Sequence, residues 1–319
     1  MSFITYVLFI SGLILISYSA NILVKYTENI SYDLNISYFF SSLVFIGLAT
    51  SSPEIFIALL ASLDNKSNIA IGNALGSNIA NIALVFSVTF FFMKIGKDYF
   101  SNAFTKDVRN FFIYLLLISV LLLPLLSDGQ INFIDSIILL STFIFFLLYL
   151  KKNNHIENTK STSKHQSNLI YNLMILLLSI LMLIIGTQIF LDSSIRIATN
   201  FGVPDYVIGL SMTAIGTSIP ELAASIQSVR RGNIDFIIGN ILGSNIFNIV
   251  LVLGLIGIVD YNPESFIGYD EFLRDITVII LTTILLIVIA RNYNVYLSRL
   301  LGVALLLGFL IYQYNLYLY

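Results

Sequence analysis

The sequence predicts an all-α integral membrane protein, with ten transmembrane helices arranged as two inverted five-helix repeats. Three observations lead there. The 319 residues are 57% hydrophobic and 11% charged, whereas soluble domains carry about 25% charged residues. Apolar runs of about twenty residues recur, each long enough to cross a hydrocarbon core about 30 Å thick as a helix. Finally, the string 47–85 returns at 214–252, with 16 of 39 positions identical and no gap.

The hydrophobicity is continuous rather than alternating, which indicates helices and not an outer-membrane barrel. The first run, "MSFITYVLFISGLILISYSANILV", has no positive leader and is expected to be a membrane span, 3–24, rather than a cleaved signal peptide. Spans 36–62 and 69–93 hold the first copy of the repeated string, and spans 110–127 and 131–150 complete the first half. The polar stretch "KKNNHIENTKSTSKHQSN" follows. Span 169–191 opens the second half, 204–229 and 234–259 hold the second copy, and 273–290 and 295–317 close the chain. The expected organisation is therefore a repeat at 1–150, a cytoplasmic linker at 151–168 and a repeat at 169–319. Five spans per half is an odd number, so the second half enters the membrane from the opposite side.

Charge placement orients this arrangement. One face collects 13 Lys and Arg residues and the other only Lys66, Arg196 and Arg274. The positive-inside rule puts the basic face in the cytoplasm and both termini outside. The chain has no cysteine, which excludes disulfides, thiolate metal sites and cysteine nucleophiles. No basic patch interleaved with aromatics suggests nucleic acid.

Two carboxylates, Glu54 and Glu221, lie deep in their spans at corresponding repeat positions. A charge at mid-bilayer costs about 2.5–3.5 kcal/mol on insertion scales. No Lys, Arg or His is deep enough to pair with them, since His155 and His165 are both in the linker. Compensation then has to come from bound cations or protons. Thr50 and Thr217 precede the carboxylates by four residues, on the same helix face. Asn73, Ser77 and Asn81 step by four, as do Asn240, Ser244 and Asn248. Such stripes offer neutral oxygen beside the charged oxygen, and hard cations such as Ca²⁺ take six to eight oxygens. Ser51 and Ser218, beside the threonines, join the candidate set. Pro53 and Pro220 lack an N–H and are expected to free carbonyls one turn earlier, around Gly47 to Thr50 and Ala214 to Thr217, with Gly47 and Ala214 joining the candidate set. Asn78 and Asn245 fall off the stripes and are assigned to packing or helix bonding. The glycines of Gly72-x-x-x-Gly76 and Gly239-x-x-x-Gly243 read as packing contacts.

At these residues the sequence resembles the sodium/calcium exchanger family, within the cation/calcium antiporter group. The family's α-repeats carry G-T-S-x-P-E and G-N-x-x-G-S-N-x-x-[ND]. Here the first reads "ATSSPE" and "GNALGSNIAN", the second "GTSIPE" and "GNILGSNIFN". The resemblance implies a prokaryotic-type exchanger of the inner membrane, without a regulatory domain, functional as a monomer and needing no cofactor. Its substrates would be Ca²⁺ and Na⁺, exchanged electrogenically by alternating access, with spans 1 and 6 moving against a core of spans 2–3 and 7–8. Some relatives carry Asp where this chain has Asn81 or Asn248, so potassium is not expected to be co-transported. Proton/calcium exchangers tend to carry Glu in the G-N motifs where this chain has Ser and Asn. A proton-coupled cation exchanger is the alternative. An intramembrane serine protease would need a membrane His, and an aspartyl protease paired membrane aspartates. The chain has neither, so it is not expected to be an enzyme.

Overall fold

A backbone in lipid has to close its hydrogen bonds within its own segment, and the computed structural model is helical accordingly. It describes residues 3–93, 106–152, 168–202, 213–260, 267–291 and 295–316, and all regular structure among them is helix. The elements are α1 (Phe3–Leu34), α2 (Tyr38–Thr50), α3 (Ser52–Leu63), α4 (Ser67–Phe92), α5 (Lys106–Leu125), α6 (Phe133–Lys152), α7 (Leu169–Asn200), α8 (Thr213–Thr217), α9 (Ile219–Arg230), α10 (Ile234–Val259), α11 (Tyr269–Arg291) and α12 (Val295–Leu316).

Eight of these are long and apolar enough to cross a membrane, and a ninth crossing is the pair α2–α3, bent by 41° at Ser51. The pair α8–α9 breaks in the same way at Ser218. It begins the expected span 204–229, whose residues 203–212 lie outside the described residues, as does most of the linker 151–168.

α1 and α7 run well past the expected spans 3–24 and 169–191. At 32 residues each they are about 48 Å long. The apolar run of α1 ends before Lys25, but the helix continues because Thr27, Ile30 and Ser31 are buried. The two helices pack antiparallel along their whole length. Phe9 meets Phe190 with ring centroids 5.0 Å apart, and Asn172 donates to Asp33 at 2.7 Å near the other end. Together they form an apolar cluster separate from the main core, with Ile16, Leu23, Leu176 and Leu183 at its centre.

The main core is built on α4 and α10. Their membrane windows are 72% and 83% buried, against 28–39% for the other six long helices. Each widens into a π turn, at Asn81–Phe86 and Asn248–Val252. Those turns start 167 residues apart, the offset of the sequence repeat. Helix termination repeats at the same offset. α3 ends with Asn65 at φ 57° and Lys66 N–H donating to Ala61 at 2.8 Å. α9 ends with Gly232 at φ 69° and Asn233 N–H donating to Ser228 at 3.0 Å. Both are Schellman stops that occupy otherwise orphaned carbonyls, and both turn the chain directly into a central helix.

Candidate functional site

The site begins at two helix breaks. At Ser51 the backbone leaves helical geometry (φ −79°, ψ 3°) and α3 restarts with Pro53 in its first turn, followed by Glu54. At Ser218 the same happens ahead of Pro220 and Glu221. A proline fits a first turn, where no N–H is needed. The break puts each carboxylate at the positive N-terminal end of a helix, where a negative charge is favoured. Both glutamates are completely buried.

The two halves then cross over. Thr50 Oγ1 lies 3.0 Å from Ser244 Oγ, and Thr217 Oγ1 lies 3.0 Å from Ser77 Oγ. Thr50 donates to Asn240 Oδ1 at 3.1 Å, and Thr217 donates to Asn73 Oδ1 at 3.3 Å. Adding 167 to the first-half partner and subtracting it from the second converts each bond into its counterpart. The threonine of each broken helix is thus held by the polar stripe of the opposite half. Glu54 faces Thr217 and Ser77. Glu221 faces Thr50 and Ser244 and stands within range of the Glu54 charge.

Close backbone approach makes this crossing possible. A Cβ built on Gly47 would stand 2.9 Å from Gly243 Cα, and one on Gly76 would stand 2.8 Å from the Ala214 methyl. Gly47 corresponds to Ala214 in the repeat, and Gly76 to Gly243. Small residues therefore bring α2 onto α10 and α8 onto α4, and the packing reading of Gly76, Gly239 and Gly243 holds.

The freed carbonyl falls inside the expected stretch Gly47 to Thr50, though not at Gly47 itself. Gly47 O is not left open by Pro53, because it accepts Ser51 N–H at 3.1 Å and the Ser244 hydroxyl at 3.4 Å. The carbonyl that loses a donor to Pro53 is that of Ala49, and the Ser52 hydroxyl covers it. In the second half Ser218 N–H turns instead to Ile215 O at 3.1 Å, and Ala214 O accepts the Thr217 hydroxyl at 3.4 Å. Asn78 and Asn245 donate within their own helices, to Ala74 at 3.0 Å and Ile241 at 2.7 Å.

Many polar atoms here have no partner. Among the described residues, both oxygens of Glu54 and of Glu221, both side-chain polar atoms of Asn81 and of Asn248, and the hydroxyls of Ser51 and Ser218 are buried without a hydrogen-bond partner. Neither glutamate is in an ion pair among the described residues. An unmet buried polar group costs about 1–3 kcal/mol, and a charged one more. Eight unmatched oxygens, four of them carboxylate, are of the kind that hard cations take as ligands. Among the described residues no three His, Cys, Asp or Glu side chains are grouped as for a transition metal.

Ser225 is the participant that the sequence motifs do not single out. Asn240 Nδ2 donates to its hydroxyl at 3.0 Å and to Glu221 O at 3.2 Å. Its repeat counterpart is Ala58, and Asn73 Nδ2 accordingly has no partner. Matching the repeats hides such a residue. Its spacing of four from Glu221 was the available signal.

Comparison with known proteins gives the same picture over the whole chain. The family model described as sodium/calcium exchanger protein matches residues 4–152 and 171–318. The inner membrane protein YrbG of Escherichia coli is 32% identical, over 97% of this chain and 96% of its own length. The sodium/calcium exchanger MaX1 of Methanosarcina acetivorans is 28% identical, over 95% and 96%. The structure of the sodium–calcium exchanger NCX_Mj soaked with 2.5 mM Na⁺ and 0.1 mM Ca²⁺ superposes with a TM-score of 0.81 at 27% identity, covering 98% of each chain. With a membrane-spanning helical fold, a buried carboxylate pair and these relatives, the chain belongs to the sodium/calcium exchanger family.

Proposed function

We propose that this protein exchanges Na⁺ for Ca²⁺ across the membrane by alternating access, electrogenically and without potassium. The observation that carries the reading is the pair of fully buried glutamates whose four oxygens have no hydrogen-bond partner among the described residues. Ionised, they give the empty site a charge of −2. One Ca²⁺ neutralises it, and so do several Na⁺ ions, with Thr50, Ser51, Ser77, Asn81, Thr217, Ser218, Ser244 and Asn248 supplying neutral oxygen. Asn73 and Asn240 act mainly by holding the threonines, and the Ala214 carbonyl completes the set, with that of Gly47 joining only if the Ser244 hydroxyl turns from it to the ion. An empty, uncompensated site is costly to move through a low-dielectric barrier. That cost couples the two ions and prevents a leak. The extra sodium charge moved per cycle makes exchange electrogenic.

The two halves act as inverted repeats, 1–150 and 169–319, joined by the linker 151–168, with α-repeats at 47–85 and 214–252. Support comes from the family model matching each half, from the paired π turns and helix stops, and from the reciprocal hydrogen bonds of the site. The α1–α7 pair, with its separate apolar cluster, is the unit that moves against the core of α2–α4 and α8–α10. The chain works as a monomer in the inner membrane of a prokaryote with both termini outside. The basic asymmetry supports that orientation, and the likeness to an inner membrane protein of Escherichia coli supports the location.

The test is ⁴⁵Ca²⁺ uptake into proteoliposomes loaded in turn with Na⁺, K⁺ or a proton gradient. Uptake driven by Na⁺ alone, slowed by the inside-negative potential that net sodium exit builds and made faster by an imposed inside-positive potential, is the expected result. Uptake driven by protons would establish the alternative exchanger. A strict need for K⁺ would overturn the reading of Asn81 and Asn248.

A further inference from the structure

Outside the carboxylate site, a cavity of about 290 Å³ lies between the C-terminal part of α4 and the first half of α12. Its wall is almost wholly apolar, formed chiefly by Phe91, Phe92, Val303 and Leu306. Phe91 and Phe92 are 61% and 66% exposed, so the groove opens at the periphery of the bundle, where lipid surrounds it. Two polar groups interrupt the wall. Ser87 is buried, and its hydroxyl has no partner. Arg299, in the second turn of α12, donates from Nη2 to the Met93 carbonyl at 3.1 Å, while its Nε is buried and unpartnered. No carboxylate pairs with this guanidinium among the described residues.

A planar guanidinium held in an apolar groove favours an anion with two oxygens able to accept its forked N–H groups, such as phosphate. Basic pockets between transmembrane helices bind lipid headgroups. The apolar wall beyond Arg299 matches an acyl chain and offers nothing to a soluble anion. We infer that this groove holds one anionic phospholipid. Its phosphate sits on Arg299 and an acyl chain lies along Phe91, Phe92, Val303 and Leu306, with the Ser87 hydroxyl turned to the glycerol esters. The lipid would brace α4 against α12 just beyond the π turn that begins at Asn81. This binding site does not depend on the transport reading or on which face is cytoplasmic.

The experiment measures the melting temperature of the detergent-purified protein with dioleoyl phosphatidylglycerol, with dioleoyl phosphatidylcholine and with inorganic phosphate. A ligand that binds only the folded state raises it. Phosphatidylglycerol is expected to raise it by at least about 2 °C, and the other two to leave it unchanged. Arg299→Gln removes the headgroup partner and should abolish the shift. Gly302→Ile fills the groove and should also abolish it. A Cβ at Gly302 meets only Phe90 Cδ1, at 3.5 Å, and Gly302 itself lines the open groove, so this variant is expected to fold, with monodisperse elution as the check, even if Arg299→Gln does not. An equal shift with phosphatidylcholine, a shift with inorganic phosphate alone, or a full phosphatidylglycerol shift in Gly302→Ile would each overturn the site.

Discussion

At the scale of single residues, the carboxylates and their neighbours have distinct roles. Glu54→Gln and Glu221→Gln each remove one of two deep negative charges while nearly preserving shape. A divalent ion loses a charged and potentially bidentate ligand, so either change is expected to abolish Ca²⁺ exchange. Folding should survive, because a neutral amide relieves part of the insertion cost of a buried carboxylate. Flux per folded molecule, with monodisperse elution as the folding check, decides it. Near-normal Ca²⁺ flux in either variant would remove the glutamates from the mechanism. Thr50→Ala and Ser244→Ala delete only neutral oxygen and should weaken binding less. Ser225→Ala makes a subtler change. It leaves the Asn240 amide with the Glu221 carbonyl alone, and so gives the second half the looser state that Ala58 already imposes on Asn73. One hydrogen bond is worth about 1 kcal/mol, so apparent ion affinity should fall several-fold with maximal flux retained. Unchanged sodium and calcium dependence would mean that the bond to Ser225 does not position Asn240. The polar stripes were readable from a spacing of four. The crossing of each threonine to the opposite stripe was not, because it depends on contacts between residues 190 and 194 positions apart.

At the scale of elements, the close crossings of α2 on α10 and α8 on α4 set the site's geometry. A Cβ at Gly243 would collide with the Leu43 carbonyl, a backbone atom that cannot swing aside, whereas one at Gly72 meets nothing within 4 Å. Gly243→Val is therefore expected to destabilise by about 1–3 kcal/mol or more through overpacking, lowering the melting temperature measured in detergent. Gly72→Ala should leave it unchanged. Equal effects would show that the α2–α10 contact does not limit packing. The kinks at Ser51 and Ser218 were implied by Pro53 and Pro220. The detailed hydrogen bonding was not, since Ser52 covers the Ala49 carbonyl and Ser51 N–H occupies that of Gly47. The full lengths of α1 and α7 were also hidden. Hydropathy ends a span at the first charges, whereas burial of Thr27, Ile30 and Ser31 against neighbouring elements carries the helix on.

At the scale of the molecule, charge and burial are partitioned. In the proposed ten-span topology thirteen basic residues gather on one face and three on the other, and the positive-inside rule then predicts that the Lys151–Asn168 linker is inside the cell. A single cysteine at Ser163, clean in this cysteine-free chain, should resist an impermeant maleimide on intact cells and react after permeabilisation. Reaction on intact cells would invert the topology. Burial follows a different axis. α4 and α10 are enclosed, while the other long helices face outward over most of their surface. Both classes are apolar, so hydropathy alone does not separate the centre of the bundle from its rim. The signal that did separate them was polar. Asn and Ser at regular spacing are tolerated in lipid only where they face protein or an ion, and both central helices carry them.

By itself the sequence determined the membrane class, the positions of the apolar runs, the repeat at an offset of 167 and the fourteen candidate residues. Each of these follows from local composition or from identity between two strings, and neither requires knowing which helices touch. Tertiary structure alone decided which half holds which threonine, that Ser225 takes the Asn240 amide while the Asn73 amide has no partner among the described residues, and that a guanidinium without a carboxylate partner among them faces an apolar groove beside α4. Those features arise where helices distant in sequence are pressed together, and the pairing depends on small residues permitting close approach at particular depths. No period or motif along one segment encodes its neighbour across the interface.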